Sequence, residues 1–282
     1  MIQHGVELAV PFAGGVPLQA TQGDVMQQIR GDVLLSSSLW ANVALAGLSA
    51  LLFVYMGRNL RSDRARLIFG ATIMIPLVSI SSYLGLLSGL TVGLVEMPPG
   101  HALGGQEVLS QWGRYLTWTL STPMILLALG LLADVDLSDL FVVVAADIGM
   151  CLTGLAAALI TSSYALRWAF YVVSCTFFIV VLYALVVQWP ADAEAAGTSE
   201  IFGTLRALTV VLWLGYPIVW ALGVEGLAIV SSVGATSWAY SALDIGAKYV
   251  FAFLLLRWVA ANESTVGAAG NPLGPGAAPA ND

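Results

Sequence analysis

The sequence predicts an all-α membrane protein, a seven-helix transmembrane bundle with its N-terminus outside and its C-terminus inside. Three observations predict it. The 282 residues are 59% hydrophobic and only 10% charged, with a mean hydropathy of +0.87, too apolar for a water-soluble globule. Seven stretches are free, or nearly free, of charge, and each approaches the roughly 20 residues that carry a helix across a hydrocarbon core. The densest group of cations lies between the first two stretches, which sets the orientation.

Residues 1–32 lack the basic start and unbroken apolar core of a signal peptide. They read as an extracellular lead, partly helical around Gln19–Arg30. The first span is Val33–Gly57. Arg58, Arg61, Arg64 and Arg66 follow it, and the positive-inside rule places that loop in the cytoplasm. The second span reads as Leu67–Val95, with a Gly85-x-x-x-Gly89 helix-packing pattern. A long outer loop, about Glu96 to Ser110, leads to the third span, Tyr115–Ala133. The fourth, Leu140–Leu166, is broken only by Asp147, and the fifth is Trp168–Ala191. A longer cytoplasmic connection, about Asp192 to Leu205, precedes the sixth span, Ala207–Val224. The last apolar stretch, Gly226–Leu256, exceeds one span, so Gly226–Gly234 is expected to be loop. Residues 33–261 thus form the membrane domain. Residues 262–282, rich in Gly, Ala, Pro and Asn, are expected to be a disordered cytoplasmic tail.

Composition also excludes functions. Ten basic residues against 17 acids give a net charge of −7, the wrong sign for nucleic acid. Cys151 and Cys175 lie in apolar runs and form neither a disulfide framework nor a metal site. No phosphate-binding loop, dinucleotide fingerprint or His/Cys cluster occurs, so enzyme chemistry has no footing.

An ionisable group at the bilayer centre costs about 2.5–3.5 kcal/mol even on insertion scales, so each one marks a candidate site. Asp147, Asp244 and Lys248 lie deep within spans; Arg114 and Arg206 lie near span ends. Lys248 is the only lysine, and Asp244, four residues earlier, shares its helix face. Two readings are open: a buried ion pair without chemistry, or an amine kept dry to form a Schiff base with a carbonyl ligand. Aromatic residues favour the second. Trp213, Tyr216, Pro217 and Trp220 make a stripe around a proline in the sixth span. Trp118, Phe170, Tyr171 and Tyr83 add to it from other spans.

These residues resemble the microbial (type I) rhodopsins. Asp244-Ile-Gly-Ala-Lys248 is similar to their retinal-attachment motif, Trp213-Leu-Gly-Tyr216-Pro217-Ile-Val-Trp220 to their sixth-helix pocket, and Arg114-Tyr-Leu-Thr117-Trp118-Thr-Leu-Ser121-Thr122-Pro123 to the motif that sorts their subfamilies. Ser79-Ile-Ser-Ser-Tyr83, Pro98-Pro-Gly-His101 and Trp112–Trp118 look most like the archaeal halorhodopsins, inward chloride pumps. The resemblance implies all-trans retinal on Lys248, isomerised by light, with Asp244 as counter-ion. It implies a pocket of Trp118, Thr122, Met150, Tyr171, Trp213, Tyr216, Pro217 and Trp220. Asp147 is expected to bond Thr122 as a neutral acid, and relatives lead us to expect a homotrimer.

A charge count points to the cargo. A protonated Schiff base and Arg114 carry +2 against the −1 of Asp244, an expensive excess in a low dielectric. Thr117 stands where proton pumps of the family carry a carboxylate, and Ala128 stands at the proton-donor position. Thr117 and Ser121 cannot accept a proton at neutral pH, yet their hydroxyls can donate to an anion. Chloride or another halide is therefore the expected cargo, bound by Arg114, Thr117 and Ser121. Its path is expected to include Ser79, Tyr83, Gln111 and Glu225, with an exit past Arg206 and Thr209. His101 reads as a hydrogen-bonding loop residue. Beyond lipid and halide no obligatory protein partner is expected. The alternative is a sensory photoreceptor of the same fold that signals through a separate transducer.

Overall fold

The computed structural model describes residues 21–268. A short amphipathic helix, α1 (Gln22–Gly31), opens with a capping box in which the Thr21 hydroxyl accepts from the Asp24 amide and the Asp24 carboxylate accepts from the Thr21 amide. Its apolar side, Val25 and Ile29, packs on Leu35, Leu39, Tyr83 and Leu86. The seven spans follow as α2 (Val33–Gly57), α3 (Asp63–Leu87), α4 (Gly113–Ala133), α5 (Leu137–Leu159), α6 (Tyr164–Ala195), α7 (Ser199–Leu222) and α8 (Val233–Ala261). Each is long and apolar enough to cross a bilayer. α4 is the most deeply buried of them, and α9 (Glu263–Ala268) closes the described chain.

Several boundaries differ from the sequence reading, each for a local reason. Ser62 caps α3 through the Ala65 amide, so the second span begins before Leu67. It ends at Leu87 because the chain turns at Gly89, whose φ of +72° sets its α-hydrogen against the Gln22 carbonyl. The apolar residues beyond are a strand, not helix: β1 (Gly93–Glu96) pairs antiparallel with β2 (Glu107–Ser110), Gly93 opposite Ser110 and Glu96 opposite Glu107. Ser163 caps α6 by accepting from the Leu166 amide, so Tyr164–Leu166 belong to the fifth span and Arg167 lies inside a helix. The long connection expected at Asp192–Leu205 is helix on both sides, leaving only residues 196–198 as linker.

Directly after Asn262, where the sequence leads us to expect a disordered tail, the chain forms the short helix α9. Glu263 accepts hydrogen bonds from the Arg61 and Ser62 amides, the latter at 2.6 Å, and this docks α9 beside the start of α3. The rest of the tail lies outside the described residues, as does the lead before Thr21.

Two helices contain a wide π turn, Ala184–Gln188 in α6 and Ile245–Val250 in α8. The second carries Lys248. One end of the bundle holds α1 and the hairpin; the other holds the arginine-rich loop and α9.

Candidate functional site: a buried charge cluster beside an aromatic cavity

The charge cluster is built from α3, α4, α7 and α8. On α8, Asp244 and Lys248 are each 1% exposed, with Nζ 3.0 Å from Asp244 Oδ1. That ion pair lacks hydrogen-bond angles, so Nζ has no hydrogen-bonding partner among the described residues. Asp244 is otherwise saturated: Tyr83 donates to Oδ2 at 2.5 Å and Tyr216 to Oδ1 at 2.7 Å. Arg114, also buried, completes the chain. Its Nη1 donates to the Tyr83 hydroxyl at 3.1 Å, Nη2 to Ser237 Oγ at 2.7 Å, and Nε to Gln111 Oε1 at 3.1 Å. Direction therefore runs from Arg114 through Tyr83 to Asp244. The cluster holds two cations and one carboxylate, all out of water. Such an excess is costly unless an anion joins it.

The hydroxyls near this cluster are not equivalent. Thr117 donates to the Gly113 carbonyl at 3.0 Å and its oxygen also meets Ser82. Ser121, one turn further along α4, is fully buried and its hydroxyl has no partner among the described residues. Ser79 donates to its own helix, to the Ile75 carbonyl at 2.9 Å.

Next to the cluster, an apolar cavity is surrounded by α4, α5, α6, α7 and α8. All eight residues expected to wall a ligand line it: Trp118, Thr122, Met150, Tyr171, Trp213, Tyr216, Pro217 and Trp220. Phe170 does not. Tyr115, Cys151, Cys175 and Tyr240 line it as well. Tyr171 and Trp220 stack with centroids 4.8 Å apart, and Trp118 meets Tyr216 edge-on at 5.1 Å. The cavity and an orphaned buried amine beside its wall residue Tyr216 fit a long conjugated carbonyl compound condensed on Lys248. Thr122 lies 2.6 Å from Asp147 Oδ2 and 2.8 Å from the Trp118 carbonyl.

A second, more polar cavity opens toward the hairpin end, lined by Gln111, Arg114, Tyr115, Glu225 and Tyr240 among others. Glu225 is fixed there by Ser110 at 2.7 Å and Tyr115 at 2.9 Å. His101 accepts from the Leu103 amide through Nδ1 and meets Tyr164 edge-on; its burial and the nearby Arg167 hold its pKa below the ordinary 6.5. Arg206 and Thr209 sit apart from the cluster on α7. Arg206 is half-buried, whereas Thr209 is buried with a hydroxyl that has no partner among the described residues.

Sequence reasoning missed Ser82, Ser237 and Arg167. Ser82 stands in a quoted motif, one residue before Tyr83. Ser237 lies seven residues before Asp244, on the same face at helical spacing. Arg167, which falls between the fourth and fifth spans as read from sequence, is fully buried and donates to the carbonyls of Glu225 at 2.7 Å and Ile160 at 2.8 Å.

The family profile described as bacteriorhodopsin-like protein matches residues 33–262. The chain belongs to that family. A halorhodopsin of Halobacterium halobium (strain shark) is 70% identical over 275 residues, 97% of this chain and 99% of the relative. A solved structure described as "Halorhodopsin, a light-driven chloride pump" superposes with a TM-score of 0.83 at 76% identity, covering 84% of this chain and 99% of its own. A bromide-bound form of halorhodopsin from Halobacterium salinarum gives 0.83 at 74% identity, covering 85% and 99%. The family match and the seven spans make this a multi-pass protein of the cell membrane. Family membership implies a retinal chromophore.

Proposed function

We propose that this chain is a light-driven pump that moves chloride, or another halide, inward across the cell membrane. The observation that carries the reading is the buried excess of positive charge, Lys248 and Arg114 against Asp244, together with the buried Ser121 hydroxyl, which has no partner among the described residues and lies two turns beyond Arg114 on the same face of α4. An anion at this place completes the charge balance and takes the free O–H donor. The relatives point the same way, since one of them is described as a light-driven chloride pump. This makes the protein a transporter, not an enzyme, and it disfavours the sensory alternative.

Retinal, all-trans in the resting protein, would be held on Lys248 as a protonated Schiff base and supplies the light-driven change of shape. The chain's own residues do the rest. Trp118, Met150, Tyr171, Trp213, Tyr216, Pro217 and Trp220 wall the ligand and exclude water. Tyr83 and Tyr216 hold Asp244 as a fixed anion, and Gln111 and Ser237 hold Arg114. Arg114 and Ser121 bind the halide. Thr117 is engaged by the Gly113 carbonyl and by Ser82, so of the two hydroxyls Ser121 is the freer donor to the anion. Asp147 as a neutral acid donates to Thr122, which then donates to the Trp118 carbonyl, and both contacts are satisfied at once.

With the arginine loop inside, Gln111 and Glu225 line the way in, and Arg206 and Thr209 lie on the way out. Among the described residues the cluster holds no second carboxylate to take the proton, so the linkage stays protonated. Assembly as a homotrimer goes with the reading. The deciding experiment illuminates vesicles containing the protein. Inward chloride pumping drives passive proton uptake that a protonophore increases, whereas a proton pump's signal collapses. No light-driven anion current in a pigment of normal colour would refute the proposal. Lys248→Ala serves as the control and should lose the visible band.

A further inference from the structure

At the arginine-loop end, the last turn of α2 and the first turns of α3 leave an open groove. Phe69 forms its floor, with its ring set so close to Gly57 that a methyl there would collide. Leu60 and Leu67 wall it, and Arg58, Asp63 and Arg66 stand at its rim.

Of the four loop arginines, Arg64 is buried and paired with Asp134, and the Arg61 amide is engaged by Glu263. Arg58 and Arg66 are exposed and have no ion pair among the described residues. Arg61 is also exposed with no side-chain ion pair among the described residues, but it does not line the groove. Arg58 is nonetheless held in place: its guanidinium lies 3.6 Å from the Tyr55 ring centroid and donates to the Tyr55 carbonyl at 3.2 Å. A guanidinium fixed in this way loses little freedom on binding.

The ends of membrane-spanning helices lie at the headgroup layer, where apolar walls and cations meet phosphate and glycerol. The molecule as a whole is acidic, at −7, so general attraction does not bring anions here; the attraction is local to this groove. We propose that it binds the headgroup of an anionic phospholipid bearing hydroxyls, of the phosphatidylglycerol kind. Arg58 and Arg66 take the phosphate oxygens. Asp63 accepts from the headgroup hydroxyls, and Leu60, Leu67 and Phe69 lie under the glycerol and first methylenes.

The test uses the full chain with its pigment, delipidated in mild detergent and supplied with phosphatidylglycerol or phosphatidylcholine, with bound lipid counted by native mass spectrometry. The visible band reports that each variant is folded. Retention of phosphatidylglycerol over phosphatidylcholine is expected. Arg58→Gln/Arg66→Gln should reduce that preference by on the order of tenfold. Arg257→Gln, exposed and outside the groove, should leave it unchanged. No headgroup preference, or an equal loss in both variants, would overturn the proposal. Inorganic phosphate is titrated in parallel: arginine-dependent binding of phosphate without a lipid preference would assign the groove to a soluble anion and also overturn it.

Discussion

Replacing Ser121 by Ala removes one hydroxyl from a fully buried position where it has no partner among the described residues. If that hydroxyl donates to the halide, the loss is that of a hydrogen bond to a charged group, about 1.5–3 kcal/mol. This corresponds to roughly 10- to 150-fold weaker halide binding. Thr117→Val removes a hydroxyl one turn away that is already spent on the Gly113 carbonyl and packed against Ser82. Its effect on affinity should stay within about threefold, since no anion contact is lost. The assay is a chloride titration of the visible band in purified protein, with each variant compared with the parent. An unchanged midpoint in Ser121→Ala, or equal weakening by the two variants, would refute the assignment of the anion to the Ser121 side of α4.

Asp147→Asn keeps a neutral donor toward Thr122 and should leave thermal stability of the pigment within about 1 kcal/mol, whereas Asp147→Ala should cost about 1–3 kcal/mol by stranding buried partners; thermal bleaching of the visible band measures both. Gly57→Ala forces the Phe69 ring aside and should destabilise by about 1–3 kcal/mol in the same assay. The docking of α9 should depend on acid. The Ser62 and Arg61 amides hold the Glu263 carboxyl below its ordinary 4.5, so docking is complete above that value and is lost as pH falls through the lowered one; hydrogen exchange of the Arg61 and Ser62 amides follows it, and unchanged protection in strong acid would count against it. Arg64→Gln breaks the pair with Asp134 and should cost about 1–2 kcal/mol, less than a wholly buried pair because Asp134 is 41% exposed.

The parts of this molecule that declare themselves in sequence are those with a periodicity or a misplaced charge. Val33–Gly57 is bounded by Asp32 and Arg58 and was legible to the residue. Asp244 and Lys248 stand out because charge in an apolar run has few innocent explanations. Hydropathy alone could not separate β1 from the end of the second span, since Val92 to Val95 are as apolar as the helix before them; the break depends on Gly89 and its contact with α1. Nor could spacing tell Thr117 from Ser121. Both are hydroxyls on one face of α4, and which of them is free depends on the Gly113 carbonyl and on Ser82, brought across from α3. Ser237 was hidden for a related reason: a lone serine carries no signal until Arg114 is placed against it.

The wide turn at Ile245–Val250 has a consequence for how α8 can vary. An ordinary helix advances 100° per residue, and a bulge of this kind accommodates one residue more than the regular winding. Deleting any one residue between Ile245 and Ala247 would remove the surplus residue and let the turn close to regular winding, which keeps the helix beyond it in phase but moves the lysine from four residues after Asp244 to three. Inserting one beyond Lys248 would instead swing Phe251, Leu255 and Val259 out of the core they now fill. Length in this helix is therefore constrained more tightly than composition: side chains can be exchanged along it, but its residue count cannot drift.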